Sequence, residues 1–203
     1  MAAPAAAKAD IVFVNVDQVV NQTGSYDLNL SGLSSDDITI TANQTAVPSP
    51  YNEANQVVST VGSGAAILND LTNGEVAALA FGALIDPTHT DPTNASANWG
   101  SGGKLASSWP FETGNWSSTG GSAYLGFYFG APGSPQAGWA DIATTTNDTT
   151  SSFELLSYAY DTNPNEVITA GEGSPVPEPS ALPLLILGGA GLIALRRRRA
   201  ANA

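Results

Sequence analysis

Few residues in this chain could do chemistry. Its single histidine, His89, stands in Asp86-Pro87-Thr88-His89-Thr90-Asp91, with a carboxylate on either side. Flanking carboxylates could orient an imidazole as a base or share a cation with it. A lone histidine in a proline-containing loop is also simply solvated, and no role is assigned to it. There is no cysteine, which excludes disulfides, thiolate metal sites and cysteine nucleophiles. Gly62-Ser63-Gly64 lacks the spacing of a nucleophile elbow, and neither a phosphate loop nor a dinucleotide fingerprint occurs. Carboxylate pairs for glycoside hydrolysis come from separate strands, and nothing in the sequence nominates one. The expectation is a body that is not an enzyme.

Two weaker constellations bind rather than react. Asp27, Asn29 and Ser31 alternate, Gly32 follows, and Asp36-Asp37 close the stretch. Calcium loops use oxygen ligands at alternate positions and a glycine at the sharp turn, with affinity set by ligand charge. Asn29 and Ser31 supply no charge, so the expectation is no cofactor beyond weak calcium, and the same residues also suit an ordinary hairpin turn. Trp99, Trp109 and Trp116 lie in one stretch, Asp86 to Gly121, punctuated by Pro, Gly, Asn and Ser. Aromatic faces there could stack on sugar rings, or they could cap a hydrophobic core.

What must position these residues is read from composition and periodicity. The chain has 203 residues and 42% hydrophobic content, enough for one ordinary domain with a buried core. Charged residues are only 12%, about half the usual share. The 18 acids run from Asp10 to Glu178, and within that span Lys104 is the only lysine or arginine. So acidic a body repels nucleic acid and anionic surfaces. Solubility outside the cell accounts for it without a dedicated metal role.

From Asp10 onward the pattern is β. Ile11 to Val16 is rich in β-branched residues; Tyr26 to Leu30 and Ile38 to Ala42 alternate; Gln56 to Val61 follows a Pro-Ser-Pro turn. Glu75 to Ile85 carries alanines without a helical stripe and reads as strand. Ala123 to Phe129, Gly138 to Thr146 and Phe153 to Tyr160 read as strong strands, and Glu166 to Thr169 as a short last one. Asp86 to Gly121 reads as loop. The expected fold is all-β, a β-sandwich or jelly-roll over residues 10–172. Residues 1–9 precede it as a signal-peptide remnant or flexible lead, with Ala7-Lys8-Ala9 in the form of a cleavage site.

The remaining segment, 173–203, has three parts. Pro175, Pro177 and Pro179 at alternate positions enforce extended backbone. Ala181 to Leu195 is uncharged, and as a helix would reach about 22 Å, short of a hydrocarbon core of about 30 Å. Arg196, Arg197, Arg198 and Arg199 follow, able to reach the headgroups and to hold that end on the cytoplasmic side. The expectation is one short C-terminal transmembrane helix with the body outside.

Val176-Pro177-Glu178-Pro179-Ser180, a glycine-containing apolar segment and an arginine cluster, in that order, resemble the PEP-CTERM sorting signal. The resemblance implies recognition by exosortase, a membrane transpeptidase, and a protein anchored in the inner membrane of a Gram-negative bacterium before release to the cell surface or extracellular matrix. The body is loosely similar to small surface proteins bearing that signal, through Gly126-Phe127, Gly138-Trp139 and Tyr158-Ala159-Tyr160. Where those proteins suggest a glycine after the Asn-Pro turn, this chain has Asn165-Glu166. The implied function is a structural or adhesive role in exopolysaccharide or biofilm. The alternative is a carbohydrate-binding module using the loop tryptophans, and more remotely a hydrolase.

Overall fold

The computed structural model describes residues 10–28, 30, 38–45, 54–62, 64–88, 97–107, 114–116, 119–147 and 150–174. These form strands β1 (Ile11–Asn21), β2 (Ser25–Leu28), β3 (Ile38–Thr45), β4 (Ala54–Val61), β5 (Ala65–Asp70) and β6 (Leu84–Ile85). After them come β7 (Ala97–Gly100), β8 (Gly102–Ser107), β9 (Thr119–Phe129), β10 (Gln136–Thr146), β11 (Ser151–Asp161) and β12 (Ile168–Thr169). One sheet has six strands in the order β1-β11-β10-β9-β5-β7, a second has four in the order β2-β3-β4-β8, and β12 pairs with β6. Among the described residues there is no helix. The body closes as a compact unit at Gly173, and a second unit begins at Ser174.

The main core lies between the two larger sheets. Leu28, Ile38, Ile40, Val57 and Leu105 come from the four-stranded sheet. Ile67, Leu125, Phe127, Ile142, Phe153 and Leu155 come from the six-stranded one. All eleven are essentially inaccessible to solvent, and each aliphatic or aromatic group so buried is worth about 1.5–3 kcal/mol. A smaller core sits on the other face of the six-stranded sheet. There Trp139, Ala159 and Leu68 pack under Leu79, Ile85, Ile168 and Ala170. Strand β10 is therefore covered on both faces, with Ala140 and Ile142 toward one core and Ala137 and Trp139 toward the other.

The register of β9 and β10 explains their Gly-aromatic pairs. Gly138 stands opposite Phe127, and Trp139 opposite Gly126. A Cβ at Gly138 would lie 2.4 Å from the Phe127 ring and 2.7 Å from the carbonyl oxygen of Ala159. At Gly126 it would lie 2.9 Å from Leu79, which covers the strand from outside. Each glycine thus receives a large neighbour where its own side chain would have been.

Register shifts occur at one level across three strands. β1 and β11 skip between Asn15 and Gln18, and β10 and β11 between Asp141 and Ile142. Both skips leave Leu156 of β11 unpaired, and Asp17 on β1 takes φ 48°. A bulge of this kind adds local twist to the strand that carries it.

The strongest expected strands are present, and three stretches differ from expectation. Ala65–Asp70 forms β5, which the sequence reading did not assign. Its Ala66 to Asn69 are all buried, so the alternation that marks a half-exposed strand is missing. The stretch read as loop contains β7 and β8, glycine-rich segments that pair with β5 and β4. Tertiary pairing overrides their poor intrinsic strand preference. Conversely, Glu75 to Ile85 is mostly irregular, touching the six-stranded sheet through isolated bridges Asn69–Val76 and Leu79–Tyr124 before β6. Its alanines let the backbone lie close over that face. Lys104, the body's only lysine or arginine, ties this segment down: its amide donates to Glu75 Oε2 at 2.9 Å, and its ammonium lies 3.5 Å from Glu75 Oε1.

Candidate functional site

The three tryptophans have separate fates. Trp116 is 5% exposed, in the main core. Its backbone amide donates to Leu105 of β8 and its indole nitrogen to Ile142 of β10, both at 3.0 Å. No face of it is left for a ligand. Trp99, on β7, is half-buried and meets Tyr128 edge-on, ring centroids 4.8 Å apart. Trp109 lies outside the described residues. So do His89 and Asp91, while Asp86 is described: its Oδ1 accepts from the amide and hydroxyl of Thr88, at 2.9 and 2.7 Å. Of the calcium candidates, Asp27 is exposed on β2, opposite Thr39. Asn29, Ser31, Asp36 and Asp37 lie outside the described residues. Among the described residues no three His, Asp or Glu side chains are placed to hold a metal ion.

What the structure adds is a groove of about 460 Å³. Its floor is Tyr128, the strand residue that Trp99 braces. One wall is the turn joining β9 to β10, including Gly130, Pro132 and Gly133. The others are Gly64-Ala65 at the start of β5, Pro87-Thr88 after β6, and Asn165 before β12. Backbone hydrogen bonds lock these turns together: Gly130 donates to Gly64 at 3.0 Å, and Asn165 to Pro135 at 2.7 Å. Gly130 and Gly133 have φ of 107° and 87°, and Asn165 has φ 63°. Asparagine is among the few residues besides glycine that enter this region without large strain. The position where the resemblance suggests glycine thus holds the best available substitute.

Sequence reasoning missed this groove because Tyr128 was read only as a member of an aromatic strand. The available signal was Gly-Ala-Pro-Gly-Ser-Pro at Gly130 to Pro135, a rigid turn following an aromatic run.

Ionisable groups with altered affinities lie elsewhere. Burial pushes the Asp141 carboxyl above its ordinary value of 3.8, and a hydrogen bond from Ser122 opposes the shift. Burial, helped by the Asp141 charge, raises Tyr124, which stands opposite Asp141 on β9. Tyr158 is raised by burial first and then by Tyr26 and Tyr160. Asp141 and Tyr124 share the face that bears the smaller core, whereas Tyr158 packs against the main core on the other face, and none of the three lines the groove.

Beyond the body, at Pro175, the sequence changes to the proline-punctuated segment and its arginine cluster. Residues 175–199 match the PEP-CTERM protein-sorting motif. The match takes in Val176 to Ser180 and Arg196 to Arg199, the residues read from sequence as recognition segment and membrane stop. A PEP-CTERM motif implies export, membrane-anchored sorting and processing by exosortase, a membrane enzyme. The expected transmembrane helix, Ala181 to Leu195, lies outside the described residues. Among the described residues no helix is long and apolar enough to cross a membrane. No curated protein and no solved structure matches the chain.

Proposed function

We propose that the chain is a non-enzymatic surface or matrix protein with a structural or adhesive role in the exopolysaccharide of a Gram-negative bacterium. The carrying observation is the PEP-CTERM motif at 175–199, starting directly after a body that closes at Gly173–Ser174. The address and the cargo meet at a Pro-rich stretch whose backbone cannot extend the strand ladder. That favours access for a processing enzyme. On this reading Ala181 to Leu195 is a short membrane helix, Arg196 to Arg199 its cytoplasmic stop, and the released body is more acidic than the whole chain.

The test is mass spectrometry of the C-terminus in cells with and without exosortase. Cleavage near Pro177-Glu178-Pro179 only when exosortase is present supports the reading. An uncut tail in both strains overturns it and leaves a plain membrane anchor.

Carbohydrate binding is the second reading. Of the three tryptophans, Trp99 favours it through its contact with Tyr128.

A further inference from the structure

The geometry points to a binding site for an uncharged sugar in the groove floored by Tyr128. This deepens the matrix reading above and moves the contact from the tryptophans to a tyrosine.

Four observations carry it. First, a volume of about 460 Å³ lies within the range of about 300–1,000 Å³ typical of small-ligand sites. Second, none of the described residues lining the groove is charged, although the chain carries 18 acids. On so acidic a body, a described lining without carboxylates suits a polar neutral molecule better than a cation. Third, Tyr128 offers an aromatic surface that Trp99 holds edge-on at 4.8 Å, limiting how far the ring can turn. An aromatic surface of fixed orientation suits the C–H face of a pyranose, and its ordering cost is met before the ligand arrives. Fourth, the rim is polar and stiff. The Thr88 hydroxyl is oriented by its donation to Asp86 Oδ1 at 2.7 Å and the Asn165 side-chain amide by its donation to the Gly133 carbonyl at 3.5 Å, and three prolines, Pro87, Pro132 and Pro135, limit backbone freedom. A few fixed polar groups around an apolar floor are what orient a small ligand.

A proline-rich peptide is the main competitor, since such peptides also dock on aromatic-lined grooves. They lie along a row of aromatic ridges, whereas among the described residues Tyr128 is the only aromatic one lining the groove. That favours a sugar unit over an extended peptide.

The experiment uses the full chain in mild detergent. Cello-, malto- and galacto-oligosaccharides are titrated against it by calorimetry, with uronate oligosaccharides and a Pro-rich peptide as comparisons. At least one neutral series is expected to bind, with the uronates about ten-fold weaker or more. Tyr128→Ala should weaken binding about ten-fold or more, and Tyr128→Phe should stay within about three-fold of the parent. Ala131→Arg, at an exposed turn position, should block the groove and covers the case in which Tyr128→Ala fails to fold. No neutral sugar bound, parental affinity in Ala131→Arg, or binding of the peptide in place of sugars would overturn the site. The same preparations are scored for C-terminal cleavage in cells. A chain that is sorted but binds no sugar defeats the groove alone, and one that binds but is never cut defeats the sorting reading alone.

Discussion

The indole nitrogen of Trp116 donates to the carbonyl oxygen of Ile142 at 3.0 Å, while the backbone amide of Trp116 donates to Leu105. Leu105 belongs to the four-stranded sheet and Ile142 to the six-stranded one. One residue outside any strand thus joins the two layers by hydrogen bonds at both its ends. Trp116→Phe keeps a ring in the core but leaves the Ile142 carbonyl without this donor. It should cost roughly 2–4 kcal/mol in chemical denaturation. A loss below about 0.5 kcal/mol would show that the bridge contributes little.

Gly138 tolerates no side chain. The Phe127 ring and the Ala159 carbonyl both occupy the place of its Cβ, and the carbonyl is backbone that cannot swing away. Gly138→Ala is expected to destabilise by about 1–3 kcal/mol, read as a lower melting temperature with the β-type circular dichroism retained.

Asn165 tests the left-handed turn before β12. At φ 63° an alanine should cost about 1–2 kcal/mol, whereas glycine should fall within about 0.5 kcal/mol of the parent. Equal effects from the two replacements would mean that the Asn165 side chain, not its backbone, carries the turn.

Asp141 gives the fold a pH signature. Burial raises its carboxyl above 3.8 in the folded chain, so the native state binds that proton more tightly than the unfolded state. Its contribution is full below the unfolded value and is lost as pH rises through the raised folded value. Near neutrality the ionised group is therefore a net cost. Asp141→Asn should raise the melting temperature at about pH 7, and the advantage should shrink toward zero on acidification to about pH 3. An advantage that persists undiminished in acid would rule out the carboxylate charge as its cause.

Chelation should be without effect. The body packs around two apolar clusters, and Asp27 is exposed. EDTA is expected to leave the melting temperature unchanged within about 1 °C. A fall of several degrees, reversed by calcium and abolished in Asp27→Ala, would instead make Asp27 a calcium ligand.

How much of this was legible in the sequence follows from which physical signal each segment carries. Strands such as β3 and β11 set a clear period or an aromatic and β-branched run between turns, and they were read correctly. Strand β5 is buried on both faces and β8 opens with Gly102-Gly103. Such strands exist only because β4, β7 and β9 accept them as partners, which no local pattern encodes. Trp116 was legible as a candidate core cap, but its two-sheet bridge was not, since Leu105 and Ile142 are distant in sequence. The groove was the least legible part. Its floor and walls come from strands and turns between Gly64 and Asn165, and only the fold brings them together. The sorting tail was the most legible, because its chemistry is written in consecutive residues.

The register shift in β1 has one more consequence. Strand β1 is an outer strand of the six-stranded sheet, eleven residues long, with Val19 51% exposed. A long straight edge of this kind is a template on which a second molecule can add its own strand. Here Asp17 at φ 48° breaks the line midway, and its carboxylate accepts from Asn15. The strand on either side of that kink no longer forms one continuous straight edge, and a negative charge marks the break. A kinked, charged edge is a poorer template for edge-to-edge stacking of one copy on another.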